Sequence, residues 1–205
     1  ENETSKIDRK LKKMLKNKKI WVASSTHKYE EVFCAKAHIE LKKKIRNLIT
    51  IIIPRHVHRV AEIISEIEGL NLKIMTHSSK LKNFKNLDIY LVDTFGETIK
   101  FHKIGCSVFL GGSIIKRGGQ NPLEAARYGA KILHGPNIDN FKDVYKQLNL
   151  FNISKKINTP KKLANSISFK RNKNIGNKIK KIGEKILNQT IKELDNLINN
   201  DFKKT

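Results

Sequence analysis

Short apolar runs alternate along this chain with longer stretches in which apolar residues recur at the spacing of one helix face. The run at residues 48–53 is dominated by β-branched side chains and ends at Pro54, which suits a parallel strand buried on both faces. The other predicted strands are residues 19–24, 72–75, 88–92, 107–110 and 131–133. The predicted helices are residues 29–45, 56–68, 97–104, 122–128 and 140–150. This alternation indicates an α/β fold, a Rossmann-like parallel sheet with helices on both faces.

The two ends of the chain differ from the alternating region, which we assign to one domain, residues 19–150. Residues 1–18 are charged and polar with spaced apolar positions, and they predict a linker or a lead-in helix. Residues 151–205 predict C-terminal helices, one around residues 160–167 and a long amphipathic one from Ile175 onward. We expect these helices to pack on the domain or on a neighbouring domain, in preference to a membrane surface.

The formal net charge of +23 first suggests a nucleic-acid or anionic membrane partner. Only seven of the 42 basic residues are Arg, and the many Lys residues occur together with heavy Asn and Ile usage. Because proteins that read nucleic acids favour Arg for bidentate contacts, we expect solvated Lys on outer helix faces and no nucleic-acid partner. Weak attraction to anionic lipid head groups stays open.

The cysteine count and the hydropathy indicate in which kind of cellular compartment this chain is expected. Cys34 and Cys106 are too few for a disulfide framework, and their apolar surroundings suit a reducing compartment. No apolar run approaches the length of a membrane span, and no signal peptide is visible. The chain starts at Glu1 without an initiator Met, so we expect it to be part of a longer protein.

Four polar clusters each follow a predicted strand, and in a parallel sheet all these strand ends lie at one edge. The clusters are Ser25-Thr26-His27, Pro54-Arg55-His56, the segment 93–97, and Gly111-Gly112-Ser113 with the segment 118–124. Each cluster alone has a structural explanation as a helix cap, a tight turn or a surface cation. Their convergence on one edge indicates a binding site.

The residue types in these clusters suit a nucleotide. Backbone N–H groups of Gly96, Gly112 and Ser113 are expected to approach a phosphate because no bulky side chain intervenes. Arg55 is expected to neutralise that phosphate or to face the base.

The segment that opens the helix at residues 122–128 completes the predicted nucleotide site. Asn121 offers amide hydrogen bonds, and Glu124 offers a carboxylate that can accept from both ribose hydroxyls. The sequence lacks a Walker motif, a zinc-ligand spacing, an acidic pair for a divalent ion and a hydrolase nucleophile elbow. We therefore expect no metal at this site.

Together, the motifs resemble those of the 3-deoxy-D-manno-octulosonic acid (Kdo) transferases. The resemblance rests on segments 21–27, 54–56, 93–97, 111–113 and 117–124, on Glu30-Glu31, and on Gly135-Pro136 with Asn140-Phe141, and it covers residues 19–150. It implies that this chain is the C-terminal, donor-binding half of a two-domain GT-B glycosyltransferase, with residues 19–150 binding the nucleotide sugar.

The same resemblance implies the reaction of the full enzyme, a step of lipopolysaccharide core biosynthesis. Kdo would move from CMP-Kdo to a lipid A precursor at the cytoplasmic face of the bacterial inner membrane, without a metal or other cofactor. The family's catalytic base is a carboxylate of the N-terminal domain, so no acid of this chain is assigned as the base. We expect the isolated domain to be inactive in transfer.

The resemblance also assigns site residues. The implied CMP contacts are Pro54, Arg55, Phe95, Gly96, Glu97, Asn121, Pro122, Leu123 and Glu124. Candidates of second rank near the sugar or phosphate are Ser25, His27, Gly112 and Ser113. Three departures stand out: Phe95 replaces a usual Met, Gln120 a usual His, and Lys28-Tyr29 a usual Pro-Gly, which leaves the geometry of that turn open.

Three alternatives remain from the sequence. The domain could belong to a GT-B glycosyltransferase that uses a UDP-sugar, and competition between CMP and UMP would separate the two. A basic nucleic-acid-binding module would show steep salt dependence on generic DNA or RNA and would not need the glycine loops. A purely structural domain is disfavoured because the motifs are intact.

Overall fold

The computed structural model of this protein describes residues 8–79 and 86–201. Within these ranges seven strands form one parallel sheet in the order β3-β4-β2-β1-β5-β6-β7. The strands are β1 Lys19–Thr26, β2 Leu48–Pro54, β3 Ile74–Thr76, β4 Ile89–Leu91, β5 Ser107–Leu110, β6 Lys131–His134 and β7 Ser154–Lys156. The predicted Rossmann-like α/β fold is confirmed.

Helices cover both faces of this sheet. They are α1 Arg9–Leu15, α2 Glu30–Lys42, α3 Val60–Glu68, α4 Thr98–His102, α5 Leu123–Ala126, α6 Lys142–Leu150, α7 Pro160–Ser166 and α8 Lys173–Asp201. Alternate residues of each central strand enter two separate cores. In β1, Val22 joins the core under α1, α4, α5, α6 and α8, whereas Trp21 and Ala23 join the core under α2, α3 and α7.

The strands that follow β1 in the chain are built first on one side of β1 and then on the other. From β1 the chain first moves outward to β2 and on to the edge strand β3, and it then places β4 between β2 and β3. It next crosses back to build β5, β6 and β7 on the other side of β1. The carboxyl ends of β1 and β5 therefore form a topological switch point, the place where open parallel sheets bind their ligands. The loops that carry the sequence motifs end at this edge.

Several element boundaries differ from the prediction. The strand β7 was not predicted, because its sequence Ser-Lys-Lys has no apolar pattern; it is an edge strand in which only Ser154 is buried. The predicted strand at residues 72–75 is shifted to Ile74–Thr76, and the predicted helix at residues 29–45 is shorter, at Glu30–Lys42. The predicted helix of residues 160–167 and the long C-terminal helix are present as α7 and α8.

The lead-in segment forms a helix over part of its length. In α1, Leu11, Met14 and Leu15 are buried against the sheet, so this segment belongs to the folded unit; residues 1–7 lie outside the described residues. No helix in the described part of the chain is long and apolar enough to cross a membrane. The domain boundaries at residues 18 and 150 stay predictions.

Candidate functional site

The ends of β1 and β5 approach each other unusually closely. The N–H of Gly111 donates to the carbonyl of Ser24 at 2.8 Å, and a Cβ on Gly111 would lie 2.2 Å from the carbonyl oxygen of Ser25. Ser25 itself has a φ of 55° at the point where the register of β1 against β2 shifts before Thr26. Gly111 is required here because any side chain would push the two strand ends apart.

A single buried carboxylate, that of Glu30, binds the loop after β5. Its Oε2 accepts from the N–H groups of His27 at 3.0 Å and Gly112 at 2.7 Å, and its Oε1 accepts from Ser113 at 3.1 Å and Ile114 at 2.9 Å. Burial raises the pKa of Glu30, and the four N–H donors oppose that rise. Each oxygen already receives two donors, so protonation would displace one of them. Glu30 is therefore the internal anion of an anion-binding loop.

This contact corrects one prediction. Gly112 and Ser113 were expected to offer their N–H groups to a phosphate, but the structure shows both groups bonded to Glu30. The Ser113 hydroxyl is also engaged, since it donates to the carbonyl of Leu110 at 2.5 Å and accepts from the N–H of Gly135 at 2.8 Å. In this structure Ser113 holds the loop together and has no free polar group at its backbone N–H or hydroxyl.

A second buried acid holds the loop after β2. The carboxylate of Glu31 accepts from Arg59 Nη1 at 3.0 Å, and Arg59 Nε donates to Glu62 at 3.0 Å. The side chain of Glu31 is fully buried, and burial raises its pKa while the guanidinium opposes the rise. The loop after β2 is also tied to β1, because the N–H of Arg55 donates to the carbonyl of Thr26 at 2.9 Å.

Positive side chains from three loops surround His27. The His27 and His56 rings lie 5.6 Å apart between centroids, edge to face. Burial lowers the pKa of His27, and the positive charges of neighbouring His56, Arg117 and Arg55 lower it further. Arg55, His56 and Arg117 are exposed at this edge, so the edge presents a positive face to solvent.

The loop after β4 lies at the same edge, one strand beyond β2. The Phe95 side chain is 77% exposed, and Gly96 adopts a φ of 80° with no atom within 4 Å of a Cβ built on it. The Glu97 carboxylate is paired with Lys100 Nζ at 2.7 Å and lies 3.7 Å from His77 Nε2. Of these three residues, Phe95 and Gly96 are open to a ligand, whereas the Glu97 side chain is engaged within its own loop.

The segment before α5 presents its polar groups outward. Asn121 Oδ1 accepts from the N–H of Leu123 at 3.0 Å, which orders the turn that begins the helix. Pro122 is buried, and Leu123 and Glu124 are exposed. Within the described ranges the Glu124 carboxylate has no ion-pair partner, so it is available to a ligand.

The turn between β1 and α2 contains a strained residue. Tyr29 has a φ of 76°, in the left-handed region that favours glycine, and its side chain is 68% exposed. The Lys28-Tyr29 replacement therefore leaves a left-handed turn at this position and adds backbone strain. Strain of this kind persists only where surrounding contacts impose the conformation. At Tyr29 these are the hydrogen bonds that the carboxylate of the next residue, Glu30, accepts.

Sequence reasoning missed the role of Glu30. Three of its four contacts join residues 82 to 84 positions apart, and no local pattern signals a pairing at that separation. A prediction that Glu30 is fully buried beside the Gly-Gly-Ser loop would have indicated this role.

Comparisons with known proteins agree with the resemblance drawn from the motifs. No family model matches the chain. Curated relatives include the 3-deoxy-D-manno-octulosonic acid transferases of Rickettsia bellii, 31% identical over 178 residues, and of Rickettsia prowazekii, 33% identical over 173 residues. The matches cover 87% and 84% of this chain but 42% and 37% of the relatives, so the chain spans about two fifths of their length.

A solved structure matches the fold. The C-terminal CMP-Kdo binding domain of WaaA from Acinetobacter baumannii superimposes with a TM-score of 0.69 at 26% sequence identity. The match covers 74% of this chain and 79% of that domain. The resemblance inferred from the motifs is confirmed at the level of family and fold.

The Glu30 contact predicts a large loss of stability on substitution. In Glu30→Gln an amide NH₂ replaces one oxygen and faces two N–H donors, so the free energy of unfolding should fall by about 3 kcal/mol. Urea denaturation followed by circular dichroism measures this loss. Glu68→Gln, at an exposed position, is the matched control and should change stability by less than about 0.5 kcal/mol. A loss below about 1 kcal/mol for Glu30→Gln would contradict the described role.

The strain at Tyr29 predicts a stabilising substitution. Tyr29→Gly should raise the free energy of unfolding by about 1 kcal/mol, because glycine adopts this φ without a Cβ penalty. Tyr29→Ala removes the same exposed ring but keeps the Cβ, so it should bring no such gain. Equal melting temperatures for the two variants would show that φ at this position is not strained.

Proposed function

This chain is a homologue of the 3-deoxy-D-manno-octulosonic acid transferases, and from that premise we propose that it is the domain that binds their nucleotide-sugar donor, CMP-Kdo. One observation carries the proposal. The segments that resemble the family's CMP contacts lie on neighbouring loops at the switch point of a sheet that matches a CMP-Kdo binding domain. These loops are widely separated in the chain and meet only in the folded state.

The described contacts suggest how the nucleotide would be held. Glu124 is exposed and has no ion-pair partner among residues 8–79 and 86–201, so it is suited to accept from the two ribose hydroxyls. Asn121 uses its Oδ1 for the Leu123 N–H and keeps its amide donors for the ligand. Phe95 offers an exposed aromatic ring, and Gly96 offers unobstructed backbone. Glu97 would contribute through its backbone, because its carboxylate is paired with Lys100.

The cations at this edge suit the chemistry of donor cleavage. When the bond between the sugar's anomeric carbon and the phosphate oxygen breaks, the electron pair stays on CMP as negative charge. Arg55 at the end of β2 is positioned to stabilise that charge. Since the Gly112 and Ser113 amides already serve Glu30, we assign this task to side chains. Ser25 and His27 would support the site through the turn after β1.

The remaining parts of the reaction belong to the proposal for the whole enzyme. We infer a GT-B glycosyltransferase in which a second domain supplies the catalytic base and the lipid A precursor, at the cytoplasmic face of the inner membrane. More than half of the length of each relative lies outside the region that matches this chain, which is enough for such a domain. On this account the chain alone binds the donor and transfers nothing.

The proposal predicts weak, cytidine-selective binding by this chain. Calorimetric titration should detect CMP, and UMP should compete poorly. Glu124→Ala should weaken CMP binding about tenfold while leaving the binding of inorganic phosphate within twofold, because it removes a ribose contact and no phosphate contact. Glu68→Ala, away from the site and exposed, is the matched control.

Two results would count against this assignment. Failure of well-folded wild-type chain to bind CMP at millimolar concentration would reject the donor-binding function. Equal losses of CMP and phosphate binding in Glu124→Ala would reject the ribose role of Glu124 alone.

A further inference from the structure

The positive cluster around His27 is larger than one phosphate requires. It draws residues from three loops: His27 follows β1, Arg55 and His56 follow β2, and Arg117 follows β5. Arg117 and His27 flank the backbone at Gly112, since a Cβ built there would lie 3.3 Å from Arg117 Cβ and 3.5 Å from the His27 ring. The cluster therefore spans both sides of the switch point.

Among the described residues, carboxylates pair with only part of this charge. Arg59, which lies behind the cluster, is paired with Glu31 and Glu62. Arg55 and Arg117 have no carboxylate partner in the part of the chain that the structure describes. Two exposed guanidinium groups without partners at one edge indicate an anionic ligand larger than a single charge.

The backbone N–H groups at the start of the loop after β5 are already engaged. The N–H groups of Gly112, Ser113 and Ile114 would otherwise form an anion site, but all three donate to Glu30. An anion bound beside Gly112 would therefore not be held by these three groups, whereas the side chains of Arg55 and Arg117 are exposed there. Guanidinium groups bind carboxylates and phosphates with paired N–H donors, and imidazoles add a single donor.

We propose that Arg117 on the loop after β5 binds the carboxylate of the donor sugar, while Arg55 on the loop after β2 binds the phosphate. This inference rests on the proposed donor. The sugar of CMP-Kdo carries a carboxylate on the same carbon as the phosphate ester, so the donor presents two adjacent negative groups. A pair of cations on opposite sides of the switch point matches that pattern, and it selects a nucleotide of an acidic sugar over a nucleotide of a neutral one.

The test compares two cytidine ligands, one with the acidic sugar and one in which a methyl group replaces that sugar. CMP-Kdo carries the phosphodiester, the sugar hydroxyls and the carboxylate, whereas cytidine 5′-(methyl phosphate) carries the phosphodiester alone. Calorimetry on Arg117→Gln should show CMP-Kdo binding weakened about tenfold and methyl phosphate binding changed less than twofold, while Arg117→Lys, which keeps the charge, should recover part of the loss. Arg46→Gln, exposed beyond the opposite edge of the sheet, is the matched control and should change neither affinity. Melting temperatures within a few degrees of wild type establish that the variants are folded.

The outcomes separate this inference from the proposed function. Wild-type chain that binds CMP-Kdo no more tightly than the methyl phosphate, or an Arg117→Gln variant that loses both ligands equally or neither, would overturn the carboxylate assignment and leave donor binding intact. Wild-type chain that binds neither cytidine ligand would overturn the proposed function and this inference with it.

Discussion

The buried carboxylate of Glu30 is the contact on which the organisation of this edge depends. It joins the start of α2 to the loop after β5 through backbone N–H groups, and so it connects the two halves of the sheet at the switch point. The close approach of Gly111 to β1 and the strained turn at Tyr29 are consistent with that connection. A charge buried in this way is stable only because donors saturate both oxygens.

Under the proposed function, this arrangement determines how the site would recognise its donor. A glycine-rich loop at the end of a strand commonly receives a phosphate on its backbone, but here an internal carboxylate occupies those donors. We therefore propose that ligand recognition rests on side chains that line the edge, chiefly Arg55, Arg117 and Glu124. Side chains can distinguish a carboxylate from a hydroxyl, and a ribose from a phosphate, more selectively than a row of N–H groups. We infer that the loop after β5 holds the ends of β1 and β5 in position and that the exposed side chains determine which ligand binds.

The sequence predicted the fold and the convergence of the polar clusters on one edge of the sheet, because both follow from local patterns. The β-branched run that ends at Pro54 and the polar clusters after successive strands required only the periodicity of the chain and the geometry of parallel sheets. The edge strand β7 escaped prediction because Ser154 alone of its residues is buried. The role of Glu30 escaped because three of its four partners lie more than 80 residues away, where neither helix-capping rules nor charge pattern reach. The resemblance located candidate residues, and the packing then separated Glu124 and Arg55 from Gly112 and Ser113.

Hydrogen exchange of the Gly112, Ser113 and Ile114 amides, measured by NMR with and without CMP, tests the central claim most directly. If Glu30 is the acceptor for these three N–H groups, their exchange is strongly slowed in the free protein and changes little when CMP binds. Fast exchange in the free protein that becomes slow only with CMP would contradict the account, because a ligand phosphate would then be the partner of these amides.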